Sequence, residues 1–371
     1  MKKRTIALVT WLGKGNYGTI LQSYALYRKL EDLGYEVFFL NFFSFKSGLK
    51  STVKYLLYLL GILRLKRKCL YFVTPKLRKV YNFQKDYYRT KEVYTKKQYE
   101  RLLSETDIFI TGSDQIWNTR YFFNPFYFLD FARNRKRIAY ASSLGSPFIP
   151  KLYISSVKSL LSDFAYIGVR EESAVNALSD LLNRDDIQQV LDPTFLLLPY
   201  DWKLLSESAN IDFSLPKKYI LCYLIGNNEF YFNQLKDIKE KSKIYDIIII
   251  PAEENSEFSF MDAKIYKDAG PKEFVYLIKH ATLVCTDSFH ATAISINLSI
   301  DFVELLRFSD EDLNSQNSRI YDLLGHYHLA YKFYLKESDK WRNPINYIEV
   351  QTILDNDRKS SLKYLTNAIE K

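Results

Sequence analysis

The 371-residue chain has few cysteines and few histidines. Both shortages limit the disulfides and metal sites that the protein could form. Its three cysteines, Cys69, Cys222 and Cys285, cannot form a full disulfide set and lack CxxC spacing. This pattern favours a reducing compartment and argues against a cysteine zinc site. The four histidines share no ligand-like spacing with carboxylates. The sequence therefore predicts no metal and no cofactor.

Long apolar runs are also missing. The apolar run at residues 55–63 has nine residues, whereas a membrane-spanning helix needs about 20. The apolar run at residues 6–12 follows basic residues, as in a signal peptide, but it is very short and no small-residue cleavage site follows. We interpret it as a first strand and expect a cytoplasmic protein.

Acidic residues are absent between Val37 and Lys85, where eleven lysines and arginines occur. The formal net charge is +9, so the rest of the chain carries about −2. Residues 46–80 form a basic, apolar and aromatic insert that would suit the surface of an anionic membrane. A helical segment packed on the domain is an equal alternative. No nucleic-acid-binding module accompanies the basic stretch, so we expect no nucleic-acid partner.

Strand-like apolar runs alternate with helix-like segments in both halves of the chain. This pattern predicts an α/β protein with two Rossmann-like, doubly wound domains and a cleft between them that holds the site. We place the N-terminal domain at residues 1–205 and the C-terminal domain at residues 216–340. Residues 341–371 are predicted to form a helical tail.

The most informative stretch is the strand-to-helix junction at residues 284–295. Asp287 and Ser288 are helix-capping residue types, and the backbone N–H groups that follow them favour an anion. His290 lies in the first predicted turn, where its imidazole could face that anion. The alternative is an ordinary hydrogen-bonded histidine with a structural role.

Two further junctions carry polar side chains at the predicted carboxyl ends of strands. After residues 107–111 come Gln115, Trp117 and Asn118, which combine a flat apolar face with amide groups and so suit a sugar. The alternative is a polar turn with a core tryptophan. After residues 166–169 comes Arg170, which could bind a carboxylate or phosphate, or pair with Glu171 or Glu172.

A literal GxGxxG occurs at residues 13–18, after the first predicted strand. A dinucleotide site also needs an acidic residue at the end of the second strand, where this chain has Asn41. We therefore expect this loop to make room for a different ligand.

Taken in order, the blocks at residues 16–22, 112–118, 140–145, 169–171 and 286–290 resemble the polysaccharide pyruvyl transferase family. The resemblance spans roughly residues 5–325. It implies a fold similar to the GT-B glycosyltransferases. It also implies transfer of pyruvate from phosphoenolpyruvate, a co-substrate, onto two hydroxyls of a polysaccharide sugar or its lipid-linked precursor, giving a ketal and phosphate.

The resemblance implies that the family's donor-binding arginine falls on Arg170 and that its histidine at the start of the second-domain helix falls on His290. Members carry Arg-Leu-His where this chain has Ser288-Phe289-His290, so one donor-binding arginine is replaced, and Arg319 is a candidate to supply the missing charge. We predict that His290 is the general acid and Asp114 the general base. The predicted donor-binding residues are Arg170, Asp287, Ser288 and Arg319. The predicted acceptor-binding residues are Asn16, Tyr17, Gln115, Trp117 and Asn118.

Two other functions remain open at this point. One is a GT-B glycosyltransferase that uses a nucleotide-sugar donor. The other is a non-catalytic relative that binds a glycan or a membrane.

Overall fold

The computed structural model describes residues 3–13, 15–43, 53, 56–57, 59–61, 74–146, 148–226, 230–252, 260, 262–308 and 315–371. Most of the basic insert predicted at residues 46–80 therefore lies outside the described residues. The chain forms two compact units. Unit 1 contains Met1–Leu12, Gln22–Leu196 and Lys359–Lys371, and unit 2 contains Gly13–Leu21 and Leu197–Arg358.

Unit 1 is built on a seven-stranded parallel sheet in the order β3-β2-β1-β4-β5-β6-β7. Its strands are short and largely buried, as expected for a parallel sheet covered by helices. They are β1 (Thr5–Val9), β2 (Glu36–Phe43), β3 (Thr90–Val93), β4 (Ile108–Thr111), β5 (Lys136–Ser142), β6 (Tyr166–Val169) and β7 (Gln188–Gln189).

The helices of unit 1 connect these strands, and several begin at good capping residues. Thr74 and Thr95 accept hydrogen bonds from the first turns of the helices that follow them, and Gln98 completes a capping box with Thr95. The helices are α1 (Tyr17–Asp32), α2 (Pro75–Tyr87), α3 (Lys96–Glu105), α4 (Ile154–Leu161) and α5 (Glu172–Leu182). The first residues of α1 belong to unit 2.

Unit 2 repeats the design with a five-stranded parallel sheet in the order β10-β9-β8-β11-β12. Its strands are β8 (Ile220–Tyr223), β9 (Ile247–Ile249), β10 (Lys264–Ile265), β11 (Leu283–Thr286) and β12 (Phe302–Glu304). The helices are α6 (Pro199–Glu207), α7 (Tyr231–Ser242), α8 (Pro271–His280), α9 (Phe289–Asn297), α10 (Ser318–His326) and α11 (Tyr347–Glu370).

Both sheets reverse their strand order once, which defines a topological switch point in each unit. In unit 1 it lies between β1 and β4, and in unit 2 between β8 and β11. Ligands of open α/β sheets bind outside the carboxyl ends of the strands at such points. The predicted α/β class with two Rossmann-like units is confirmed, and each unit has one place where a ligand is expected.

The unit boundaries differ from the domain boundaries drawn on the sequence. Residues 13–21 belong to unit 2, although their neighbours on both sides belong to unit 1. The end of α11 belongs to unit 1, where Tyr364 donates a hydrogen bond to Ala139 O at 2.9 Å. The C-terminal helix is therefore partly a piece of unit 1. No helix among the described residues has the length and apolarity needed to cross a bilayer.

Candidate functional site

Asp287 occupies the switch point of unit 2. Its carboxylate accepts hydrogen bonds from the backbone N–H groups of Ile225 and Gly226, both at 2.7 Å, in the segment that follows β8. It also accepts from the Tyr231 hydroxyl at 2.8 Å and from Arg307 Nε at 3.2 Å. The side chain is fully buried. The four hydrogen bonds to the Asp287 carboxylate fix this end of the sheet, and its predicted role in donor binding stays a prediction.

Ser288 is the N-cap of α9, as its residue type predicted. Its hydroxyl accepts from Ala291 N at 3.5 Å, and its own N–H donates to the Thr286 hydroxyl at 3.1 Å. The strand β11 therefore turns directly into a helix that is buried along its whole length. This junction fixes the N-terminus of α9 at the carboxyl edge of the sheet, where an anion is favoured.

His290 is the second residue of α9 and is 7% exposed. Its ring lies against Gly18, the second residue of α1. A Cβ atom added at Gly18 would lie 2.3 Å from His290 Nδ1 and 2.6 Å from its Cγ. Only glycine leaves room for the imidazole in this position.

Tyr17 and Asn16, both predicted to bind the acceptor, have different surroundings. The Tyr17 ring is fully buried, stacks on Phe274 with centroids 4.6 Å apart, and donates its hydroxyl proton to Ala269 O at 2.7 Å. It anchors the start of α1 in the aromatic core of unit 2 and presents no face to a sugar. Asn16 is exposed, and its side chain accepts from Thr19 N at 3.2 Å, which caps α1.

Two arginines meet beside the switch point of unit 2. Arg307 and Arg319 both line a small cavity of about 20 Å³, together with Glu304 and Asn317. Arg307 Nη2 also donates to Asp287 O at 3.0 Å, and Arg319 Nη2 donates to Gln316 Oε1 at 2.6 Å. The cavity has room for about one water-sized group, such as one oxygen of a bound anion.

Glu304 is a buried carboxyl group at the end of β12, on the wall of this cavity. Burial raises its pKa well above the ordinary value and Asp287 adds to the rise, while the Thr292 hydrogen bond and Arg307 oppose it. The Thr292 hydroxyl donates to Glu304 Oε2 and also lies 3.1 Å from Ser288 O, so it links the Glu304 carboxyl group to the first turn of α9.

In unit 1, the polar block after β4 folds into a hydrogen-bonded turn. Asn118 Nδ2 donates to Gln115 Oε1 at 2.6 Å, and both side chains pack on Gly145, where a Cβ would lie 2.4 Å from each of them. Asp114 is 6% exposed, and its Oδ1 accepts from Gln115 N at 2.9 Å. Asp114, Gln115 and Asn118 are therefore brought together at the carboxyl edge of the unit 1 sheet, as predicted.

Arg170 lies at the same edge and is bound by two carboxylates. Its Nε donates to Glu171 Oε1 and its Nη1 to Asp192 Oδ2, both at 3.0 Å. Burial lowers the pKa of Arg170, but Glu171, Asp192 and Asp114 outweigh burial and raise it. The ion pair with Glu171 is the alternative that the sequence left open beside donor binding. The guanidinium is held among three acidic groups.

Trp117 is a core residue. Its ring is fully buried, stacks on Phe128 with centroids 5.5 Å apart, and meets Phe164 edge-on. Its indole N–H donates to Tyr127 O at 3.0 Å. The sequence left open whether Trp117 is a core residue or stacks on a sugar. Its placement favours the core role because no face of the ring is accessible.

Sequence reasoning missed Arg307, Glu304 and Glu171 as site residues. Each ends or follows a strand at the carboxyl edge of its sheet. The rule that selected Asp287 and Arg170 would have selected Glu304 and Glu171 as well, although Glu171 appeared only as a partner for Arg170. Arg307 lies further beyond the end of β12, and nothing in its local sequence distinguishes it from other arginines.

The two Rossmann-like units place the chain in the GT-B class of folds. UDP-GlcNAc 2-epimerase from Neisseria meningitidis, solved with UDP-GlcNAc, aligns over 99% of this chain and 100% of its own, with 11% identity and a TM-score of 0.50. The putative epimerase from Listeria monocytogenes aligns over 98% and 91%, with 10% identity and a TM-score of 0.49. MurG from Acinetobacter baumannii aligns over 96% and 95%, with 7% identity and a TM-score of 0.43. At these identities the likeness concerns the fold alone.

The family follows from the sequence itself. The pattern of the polysaccharide pyruvyl transferases matches residues 16–305, which is most of the chain. The chain belongs to the polysaccharide pyruvyl transferase family and is a transferase. No curated protein matches its sequence.

Proposed function

We propose that this protein transfers pyruvate from phosphoenolpyruvate onto two hydroxyls of a sugar in a cell-surface polysaccharide or its lipid-linked precursor. The product is a ketal, and phosphate is released. The observation that carries this proposal is family membership across residues 16–305. The residues at the two switch points support it by their charge.

Unit 2 has the chemistry for the donor. Phosphoenolpyruvate carries a phosphate and a carboxylate, which guanidinium groups and helix N-termini bind well. Arg307, Arg319 and the N-terminus of α9 supply such groups at one edge of the sheet. Because Ser288 stands where relatives carry an arginine, we infer that Arg307 and Arg319 provide the charge that is missing there.

The proton transfers are assigned to His290 and Asp114. Ketal formation requires a proton on the methylene carbon of the enol, loss of one proton from each of the two attacking hydroxyls, and cleavage of the carbon–oxygen bond to phosphate, which leaves with the second proton. We assign the first step to His290, the imidazole in the first turn of α9, and the second to Asp114, a carboxylate in unit 1. Donor binding by Arg170 stays a prediction. Its three carboxylate neighbours make us expect a smaller contribution to binding a dianion than from Arg307 or Arg319.

Calorimetry with phosphoenolpyruvate and with UDP-N-acetylglucosamine tests the donor. We expect phosphoenolpyruvate to bind. Arg319→Ala should weaken it about tenfold or more, because a hydrogen bond to a charged group contributes about 1.5–3 kcal/mol. Arg342→Ala is the matched control, because Arg342 is a half-exposed arginine paired with Asp339. This variant should bind phosphoenolpyruvate as the wild type does.

Turnover is then followed by phosphate release with a pool of oligosaccharide acceptors, and His290→Ala should lower it about 10²- to 10⁴-fold. Binding of the nucleotide-sugar in place of phosphoenolpyruvate would show a glycosyltransferase instead. Binding of neither donor would favour the non-catalytic glycan-binding relative.

A further inference from the structure

Glu171 is a buried carboxylate at the carboxyl edge of the unit 1 sheet. Its side chain is 7% exposed, and Oε1 accepts from the Ser143 hydroxyl at 2.6 Å and from Arg170 Nε at 3.0 Å. The other oxygen, Oε2, is buried and has no hydrogen-bond partner among the described residues. Buried carboxylate oxygens are nearly always paired, so this atom calls for a donor from a ligand or a water molecule.

The charge around Glu171 decides what kind of donor fits. Arg170 is the guanidinium at this place, and the carboxylates of Glu171, Asp192 and Asp114 all raise its pKa. Three carboxylates around one guanidinium leave an excess of negative charge. Such a site favours neutral hydrogen-bond donors over a further anion. Hydroxyl groups meet that requirement.

The side chains of Gln115 and Asn118 add amide groups to the polar surface around Glu171. Ser143, which binds Glu171, also accepts from Gly145 N at 3.0 Å, and the Gln115 and Asn118 side chains pack on that glycine. These groups follow β4, β5 and β6, three neighbouring strands, at their carboxyl ends. Amide and carboxylate groups side by side match the alternating donors and acceptors of a saccharide.

Exposed aromatic residues follow this polar block in the chain and also occur in the loop after β5. Asn118 O accepts from the backbone N–H groups of Tyr121 and Phe122, at 3.2 and 3.1 Å, and these side chains are 60% and 47% exposed. From the loop after β5, Phe148 is 55% exposed, and the Arg120 guanidinium lies 5.3 Å from its ring centre. Flat aromatic rings suit the apolar face of a pyranose.

We propose that this surface of unit 1 is the acceptor-saccharide subsite. A sugar hydroxyl donates to Glu171 Oε2, other hydroxyls bind Gln115 and Asn118, and the sugar rings lie against Tyr121, Phe122 and Phe148. The proposal deepens the proposed function and rests on it for the identity of the acceptor. It replaces Trp117, which is buried, with the aromatic residues that follow it in the chain.

An array of immobilised neutral and acidic oligosaccharides, probed with the full chain, tests the proposal without any donor. We expect wild-type protein to retain some glycans. Tyr121→Ala and Phe148→Ala should each weaken retention about 3- to 10-fold, because an aromatic contact of this kind contributes that much. Tyr245→Ala is the matched control, since Tyr245 is 65% exposed and lies in unit 2, and it should bind as wild type.

Glu171→Gln tests the hydroxyl contact itself. It should weaken retention of the same glycans about tenfold, and thermal unfolding of the variant checks that the fold survives. If Glu171→Gln unfolds, glycan retention by Tyr121→Ala and Phe148→Ala tests the proposal in its place. Retention of the glycans by Tyr121→Ala and Phe148→Ala at the wild-type level would overturn the proposal. So would loss of liposome binding in these variants with glycan retention unchanged, since the surface would then face a membrane.

The outcome is separable from that of the proposed function. Glycan retention that depends on Tyr121, with no phosphate released from phosphoenolpyruvate, would refute the proposed donor and support this subsite. Turnover with phosphoenolpyruvate, with an acceptor KM that is unchanged in Tyr121→Ala and Phe148→Ala, would support the proposed donor and refute this subsite.

Discussion

The contact between Gly18 and His290 gives the sharpest prediction. In Gly18→Ala the new Cβ would lie 2.3 to 2.8 Å from three atoms of the imidazole side chain, whereas ordinary contacts are 3.4 to 4 Å. Either α1 or the His290 ring must move. Overpacking of this kind costs about 1–3 kcal/mol, and alanine in a helix returns up to about 1 kcal/mol relative to glycine.

Gly325→Ala separates these two effects. Gly325 lies in α10, and a Cβ there would meet nothing within 4 Å. This control should be stabilised by about 0.5–1 kcal/mol. The two alanine variants should then differ by about 1–3 kcal/mol, or about 2–12 °C in Tm for a unit of this size. Circular dichroism during thermal unfolding measures the difference.

Turnover links the same contact to catalysis. If His290 is the general acid, a displacement of about 1 Å should lower kcat about 10²-fold in Gly18→Ala and leave Gly325→Ala unchanged. In a His290→Ala background, which removes two of the three close atoms, Gly18→Ala should cost less, and the double-mutant cycle should show coupling of about 0.5–3 kcal/mol. Equal stability and equal turnover of the two alanine variants would refute the reasoning.

Three further predictions follow from other parts of the molecule. Trp117→Ala should lower the free energy of unfolding by about 3–5 kcal/mol in urea titrations, because it removes a fully buried ring, and an unchanged stability would contradict the core role. Because the pKa of Glu304 is raised, its contribution to stability is present at low pH and is lost as pH rises from about 4.3 through the folded-state pKa. Glu304→Gln should therefore gain stability relative to wild type between pH 5 and 8, by up to about 1.4 kcal/mol per pH unit, and a pH-independent difference in urea titrations would argue against a protonated carboxyl. The basic insert should bind anionic vesicles, so deletion of residues 46–73 should abolish sedimentation with phosphatidylserine liposomes, and unchanged sedimentation would count against it.

Parts of the candidate site could be predicted from the sequence because they are formed by hydrogen bonds between residues close together in the chain. The apolar run before Thr286 and the capping hydroxyl of Ser288 dictate a strand that turns into a helix, whatever lies around them. The same holds for Asp114, Gln115 and Asn118, which form a turn within one short segment. The alternation of strands and helices then predicts parallel sheets, but not the order of their strands.

The two Rossmann-like units and the strand ends where polar groups gather could be predicted from the sequence. The tertiary structure was needed to place Trp117 in the core, to show that the Asp287 carboxylate accepts four hydrogen bonds from its own unit, and to bring Gly18 against His290. It also decided that Arg307 and Arg319 line one cavity. The physical reason is that caps and turns join near neighbours in the chain, whereas burial and the pairing of charges join segments that only folding brings together.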